Sequence, residues 1–365
     1  MDRKVRRSSS RLMDISAKKV FKVLNPRNVW IPVILGIGIV FFLFYNDPNV
    51  TSDNLHLIFD ANKEGVFFSL LTLILRHAGY AYRLRLITDN EISWMRCIVI
   101  IVLWEFASAV TPSVVGGTAV AVFILTMEGL NFGKSLAFVM VTAILDNLFF
   151  VLAAPGVMLL AQGQVFPDVE AANLQIGNSL PYFFFISYGL IAIYTLIMSY
   201  GLFAKPRSFK WILLKVTSWG WLDKWRHQAS MYGDQIIMAS SELRGKHAKY
   251  WLMIASITIF IWCMRYITLN SIVSSFADVS FGEHMVIFSR QVIMWIVMLI
   301  SPTPGSSGTA EYFFIPFFEQ YLGSYTFISA IFWRLLTYYP YLLLGAIVLP
   351  KWIKKVFFKN KHKKP

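Results

Sequence analysis

Apolar residues come in this chain as long runs, with the polar residues gathered between them. Runs over about 30–45, 65–82, 92–110, 135–160, 181–203, 250–269, 285–300 and 325–349 approach the roughly 20 residues that a helix needs to cross a hydrocarbon core about 30 Å thick. Two shorter apolar pieces, 119–127 and 312–322, stand among them. The period-two alternation of a transmembrane barrel is missing. The pattern predicts an all-α polytopic membrane protein of roughly ten spans. The two short pieces are either crossings or arms of re-entrant hairpins.

Each short piece follows a polar break. Residues 301–311 read SPTPGSSGTAE, and 111–119 read TPSVVGGTA. Proline and glycine in these stretches do not continue a helix comfortably. Irregular backbone at membrane depth is tolerated only where protein or a water-filled cavity satisfies its polar groups. A binding or transport site is the usual reason for such a break; the alternative is a turn between two spans. The two breaks share a T-P, then one or two glycines, then T-A. The first follows a span running outward and the second a span running inward, so 92–160 and 285–349 read as an inverted repeat.

Composition agrees with the membrane class. The 365 residues are 56% hydrophobic, with 31 Phe, 16 Tyr and 12 Trp. The net charge of +14 is concentrated: residues 1–30, 204–250 and 351–365 hold nine, nine and seven Lys/Arg. Lys/Arg excess marks cytoplasmic loops, so the high charge points to anionic lipid headgroups and away from nucleic acid. The organisation expected is a basic cytoplasmic segment 1–29, a membrane half 30–203, a Trp-rich amphipathic segment 204–249 at the cytoplasmic interface, a membrane half 250–350 and a basic tail 351–365. Residues 18–24 suit an amphipathic helix lying on the membrane. Both termini are expected inside, in a bacterial cytoplasmic membrane, and the 30–45 run reads as a retained span rather than a cleaved signal. Cys97 and Cys263 lie in apolar runs, which supports neither a disulfide framework nor a zinc site.

Charges within spans default to functional hypotheses. Here they are Glu105, Glu128, Asp146, Glu311 and Glu319, with Arg76, Arg265, Arg290 and Arg334. Arg83 and Arg85 are placed to snorkel to the interface, and Arg265 near the outer end of its span. Guanidinium groups would meet a lipid phosphate through paired hydrogen bonds. Structural ion pairs between spans are the alternative for each residue. The substrate-binding candidates are Thr303, Pro304, Gly305, Gly308, Glu311, Arg334 and Tyr338 at the second break, Pro112, Gly116 and Gly117 at the first, and Glu105, Asp146 and Arg290 within spans. Ser306, Ser307 and Thr309 offer hydroxyls. The six His show no ligand spacing, and no nucleophile elbow or P-loop occurs. No metal, cofactor or catalytic residue is expected.

At SPTPGSSGTAEYFF and the following ISAIFWRLLTYYPYLLLGAIVL, the chain resembles the lysylphosphatidylglycerol synthase transmembrane-region family, the flippase-like membrane part of the bacterial multiple peptide resistance factor. The matching positions are Pro302, Thr303, Pro304, Gly305, Gly308 and Glu311, then Arg334, Leu335, Tyr338 or Tyr339, and Pro340. The first break and Asp146 resemble the family's earlier glycine pair and acid-containing span. Two positions depart: Ser306 stands where the family has Gly, and no Arg accompanies Asp146 within 143–147. The aminoacyl-transfer domain of the bifunctional members is absent from this sequence. The resemblance thus implies binding of a polar amino- or phospholipid and its movement between leaflets. The alternatives are a membrane-embedded enzyme acting on lipid headgroups, or a non-transporting partner of a lipid synthase or envelope complex.

Overall fold

The computed structural model describes residues 52–111, 114–161, 163–167, 180–299 and 303–361. The basic lead 1–29, the first expected span, Pro112, Pro302, most of the 161–180 loop and the final tail residues lie outside the described residues. Within them the chain is helical throughout. The helices are α1 (Lys63–Ile87), α2 (Trp94–Val110), α3 (Val114–Met127), α4 (Phe132–Leu160), α5 (Leu180–Ser199), α6 (Pro206–Val216) and α7 (Arg226–Glu242). Then come α8 (Ala248–Phe276), α9 (Phe281–Met298), α10 (Thr309–Leu322), α11 (Thr326–Thr337) and α12 (Tyr339–Lys361).

The distribution of polarity is inside out relative to a water-soluble fold. In α1 the buried face carries Ser69, Thr72, Arg76, Tyr80 and Arg83, at helical spacing. Phe67, Phe68 and Ile74 point outward, 62%, 52% and 66% exposed. Water would penalise that arrangement, whereas a lipid solvent favours it. Four runs among the described residues are long and apolar enough to cross a bilayer: 132–160, 180–204, 248–276 and 309–356. α1 and α8 lie against each other along much of their length, joined across the contact by the Thr72 and Thr268 hydroxyls at 3.0 Å. Two apolar cores result. One gathers α1, α2, α3 and the start of α4; the other gathers the end of α4 with α8, α9 and α10.

Three expectations change. The first break is much shorter than the TPSVVGGTA stretch, because α3 begins at Val114 and takes in Gly116 and Gly117. Gly117 sits against Ser108 of α2, so here the glycine serves close helix approach rather than a break in the helix. The 325–349 run is two helices, parted at Tyr338 (φ −123°, ψ −60°). Pro340 is the cause: it has no N–H for the Leu336 carbonyl, and its ring crowds the preceding turn. Finally, Arg265 is not near a helix end, since α8 continues to Phe276. The short pieces, at 14 residues each, are about 21 Å long, less than a hydrocarbon core of about 30 Å.

Candidate functional site

The second break is irregular backbone, as its composition implies. After α9 the chain makes a single 3-10 turn over Pro304–Ser306 and re-enters a helix at Thr309. Three of the turn positions take left-handed backbone: Gly305 (φ 57°), Ser306 (φ 52°) and Gly308 (φ 84°). At Gly305 a Cβ would meet the Tyr338 ring and would stand 3.0 Å from the Ala109 carbonyl oxygen. Conformation and space therefore both demand glycine there. Ser306 occupies a conformation that costs an L-residue roughly 1–2 kcal/mol and that glycine would adopt without strain. Thr303 and Thr309 close the turn, their hydroxyls 3.2 Å apart.

Glu311 and Arg334 meet at this turn. Arg334 Nε donates to Glu311 Oε1 at 2.8 Å, with both side chains almost fully buried. The other carboxylate oxygen, Oε2, accepts the Gly308 N–H at 2.6 Å. Glu311 thus caps the start of α10, where negative charge is favoured, and compensates the buried guanidinium as well. Arg334 also reaches the Gly305 carbonyl at 3.4 Å, and its guanidinium lies 3.8 Å over the Tyr338 ring. Tyr338 Oη donates to the Ala109 carbonyl at 3.2 Å. That bond ties the α11–α12 break to the end of α2, next to the first TP sequence. Glu311, Arg334, Tyr338, Gly305, Gly308, Thr303 and the backbone of Pro304 thus form one constellation.

Asp146 belongs to a second cluster. Arg83 grips it through two parallel bonds, Nη1–Oδ1 at 2.5 Å and Nη2–Oδ2 at 3.2 Å. Trp262 Nε1 donates to Oδ1 at 3.1 Å, and Arg83 Nη1 also reaches the Thr258 hydroxyl at 3.1 Å. The Arg missing beside Asp146 in sequence is therefore supplied from α1, 63 residues earlier. Arg83 is 4% exposed, and the expectation that it snorkels to the interface is corrected. One signal was available: Arg76, Tyr80 and Arg83 share a helical face with Ser69 and Thr72, and that polar face in an otherwise apolar span had to point inward.

The remaining candidates lie elsewhere. Arg290 bonds two backbone carbonyls, Gln164 O at 2.9 Å and Phe317 O at 2.8 Å. It fastens α9 to the segment after α4 and to the last turns of α10, where a cation suits the helix dipole. Glu128 accepts from Trp352 Nε1 at 2.7 Å, and Glu319 is exposed. Glu105 is half-buried on α2 and belongs to neither cluster. Gly116 and Gly117 lie inside α3 and not in the turn.

A family model described as the lysylphosphatidylglycerol synthase TM region matches residues 29–345. A UPF0104 membrane protein of Archaeoglobus fulgidus is 25% identical over 292 residues, which cover 77% of this chain and 84% of that protein. The family match extends over the two breaks and both polar clusters.

Proposed function

The chain belongs to the lysylphosphatidylglycerol synthase transmembrane-region family, an integral membrane family, and from that premise we propose that it binds a polar lipid or lipid-linked molecule and moves it between leaflets. The observation that carries the reading is the buried Glu311–Arg334 pair seated on non-helical backbone at the second break. Burying two ions in a low-dielectric medium costs several kcal/mol per ion before their attraction offsets it. Breaking a helix there adds unpaired backbone groups. A purely structural anchor would be built more cheaply from apolar residues. A site that exchanges partners with a charged headgroup needs such groups: Arg334 for a phosphate, Glu311 for an ammonium.

Arg83 and Asp146 form a second exchangeable pair on the same terms. Asp146 is 25% exposed at its side chain, open enough to meet a cationic group. In this reading the chain is a transporter rather than an enzyme, works without a cofactor, and resides in the cytoplasmic membrane with its basic clusters on anionic headgroups inside. The test is leaflet exchange in proteoliposomes on a panel of headgroup-labelled lipids, beside Glu311→Ala and Arg334→Ala. Exchange in the wild type that collapses in both folded variants is expected. Folded wild-type protein that exchanges no lipid of the panel, with and without a proton or sodium gradient, overturns the proposal.

A further inference from the structure

Arg76 is the most deeply enclosed charge in the described chain, at 1% exposure. Its only hydrogen bond among the described residues runs from Nη2 to Tyr341 Oη at 2.9 Å. Nε and Nη1 are buried and have no hydrogen-bond partner among the described residues. The guanidinium is held between two phenol rings, 5.7 Å from the Tyr80 centroid and 5.6 Å from that of Tyr341. A buried cation with unmet donors is among the costliest arrangements a fold can hold. Its carboxylate neighbours leave it so. Asp146 is taken by Arg83. Glu105 lies within electrostatic reach of Arg76, Tyr80, Tyr341 and His77, yet closes no ion pair with any of them.

A second guanidinium shares the surroundings. Arg265, half-buried, lies 4.2 Å over Trp295 and 5.4 Å over Trp262, with no acidic partner among the described residues. It lies within electrostatic reach of the same Tyr80 and Tyr341. Aromatic stacking fixes the plane of a guanidinium and leaves its edge donors free, which is how arginines are presented to oxyanions. We infer that Arg76 and Arg265 form an anion station inside the helix bundle, built for the oxyanion of a phosphate ester. The anion comes from a phospholipid headgroup or from free phosphate. The inference rests on the transport reading only in expecting the lipid as its source. Glu105, half-buried and within electrostatic reach of Arg76, opposes the bound anion and favours its release.

The test is anion-induced stabilisation of the purified full-length chain in a zwitterion-free, uncharged detergent, followed by tryptophan fluorescence on heating. The probes are inorganic phosphate, short-chain phosphatidylglycerol and the matching diacylglycerol. A phosphate-bearing probe should raise the wild-type melting temperature, and the diacylglycerol should not. Which of the two phosphate probes acts identifies the source.

Arg76→Gln should raise the melting temperature of the ligand-free protein, since it removes an unpaired buried charge. It should also weaken the anion by at least about tenfold, the loss expected for a charge-assisted hydrogen bond. Arg265→Gln should weaken it likewise, Arg76→Lys should retain part of it as a point charge, and Glu105→Gln should tighten it. An Arg76→Gln protein that melts lower when ligand-free and keeps the full anion-induced shift makes Arg76 a structural residue and overturns the inference. So does a wild type that no phosphate-bearing probe stabilises. Absent lipid exchange alongside an intact, Arg76-dependent shift defeats the transport reading and leaves the station standing.

Discussion

Removing either partner of the Glu311–Arg334 pair is expected to cost about 3–5 kcal/mol of stability. At 2.8 Å two unit charges attract by about 6 kcal/mol at an effective dielectric near 20. Most of that attraction offsets the desolvation of the two ions, so the pair's net contribution is small. A single truncation costs more than the pair contributes, because the survivor stays buried without its counter-charge. Arg334→Ala leaves Glu311 with the Gly308 N–H alone. Glu311→Ala leaves Arg334 with a 3.4 Å contact to the Gly305 carbonyl and the Tyr338 face, and also orphans the Gly308 N–H. Glu311→Ala should therefore be the more damaging. In Glu311→Gln one amide oxygen must serve two donors that now occupy two carboxylate oxygens, so its cost should fall between wild type and Glu311→Ala. The double alanine variant should cost less than the sum of the singles by about 2–3 kcal/mol. Equilibrium unfolding in mixed micelles, followed by tryptophan fluorescence, measures the four variants beside wild type. Strictly additive single effects, or singles within about 0.5 kcal/mol of wild type, would refute a coupled buried pair.

The turn itself offers an opposed pair of substitutions. Gly305→Ala should destabilise by about 2–4 kcal/mol, from left-handed strain plus overpacking against Tyr338, whereas Ser306→Gly should be neutral or stabilising by up to about 1 kcal/mol; the same unfolding assay reads both, and a reversed order would discredit the described turn. Asp146→Asn should cost about 2–4 kcal/mol by stranding Arg83, and the loss should be partly restored when Arg83→Gln is added, read by the same assay. At the start of α9, Glu283 accepts the Ser280 N–H at 2.7 Å and the Ser280 hydroxyl at 2.8 Å, and these bonds, the backbone one foremost, hold its carboxyl below the usual carboxylate range. A depressed folded-state pKa means the cap's contribution is complete above the ordinary carboxylate pKa of about 4.3 and is lost as the pH falls through the lower folded value. The melting temperature should therefore drop more steeply between about pH 5 and pH 3 in wild type than in Glu283→Gln; parallel curves would rule the cap out as a source of that dependence.

Membrane class, helical architecture and the second break were legible in the sequence because each follows from one-dimensional pattern. Apolar run length sets whether a helix reaches across a bilayer, and the two prolines and two glycines of SPTPGSSG oppose a continuous helix. The first break was over-read for the same reason: Gly116 and Gly117 look like breakers in a string, yet Gly117 faces Ser108 of α2 and continues the helix. The parting of α11 from α12 was written in Pro340 but hidden by the apolar residues around it.

Which charges meet which was not available from the string at all. Arg83 and Asp146 are 63 positions apart, Glu311 and Arg334 are 23 apart, and Arg290 spends its donors on backbone carbonyls. By itself the sequence determined which side chains were too costly to leave facing lipid. Only the tertiary structure decided their partners, because in a low-dielectric interior a charge is compensated by whatever packing brings within about 3 Å, and packing across helices has no signature along the chain.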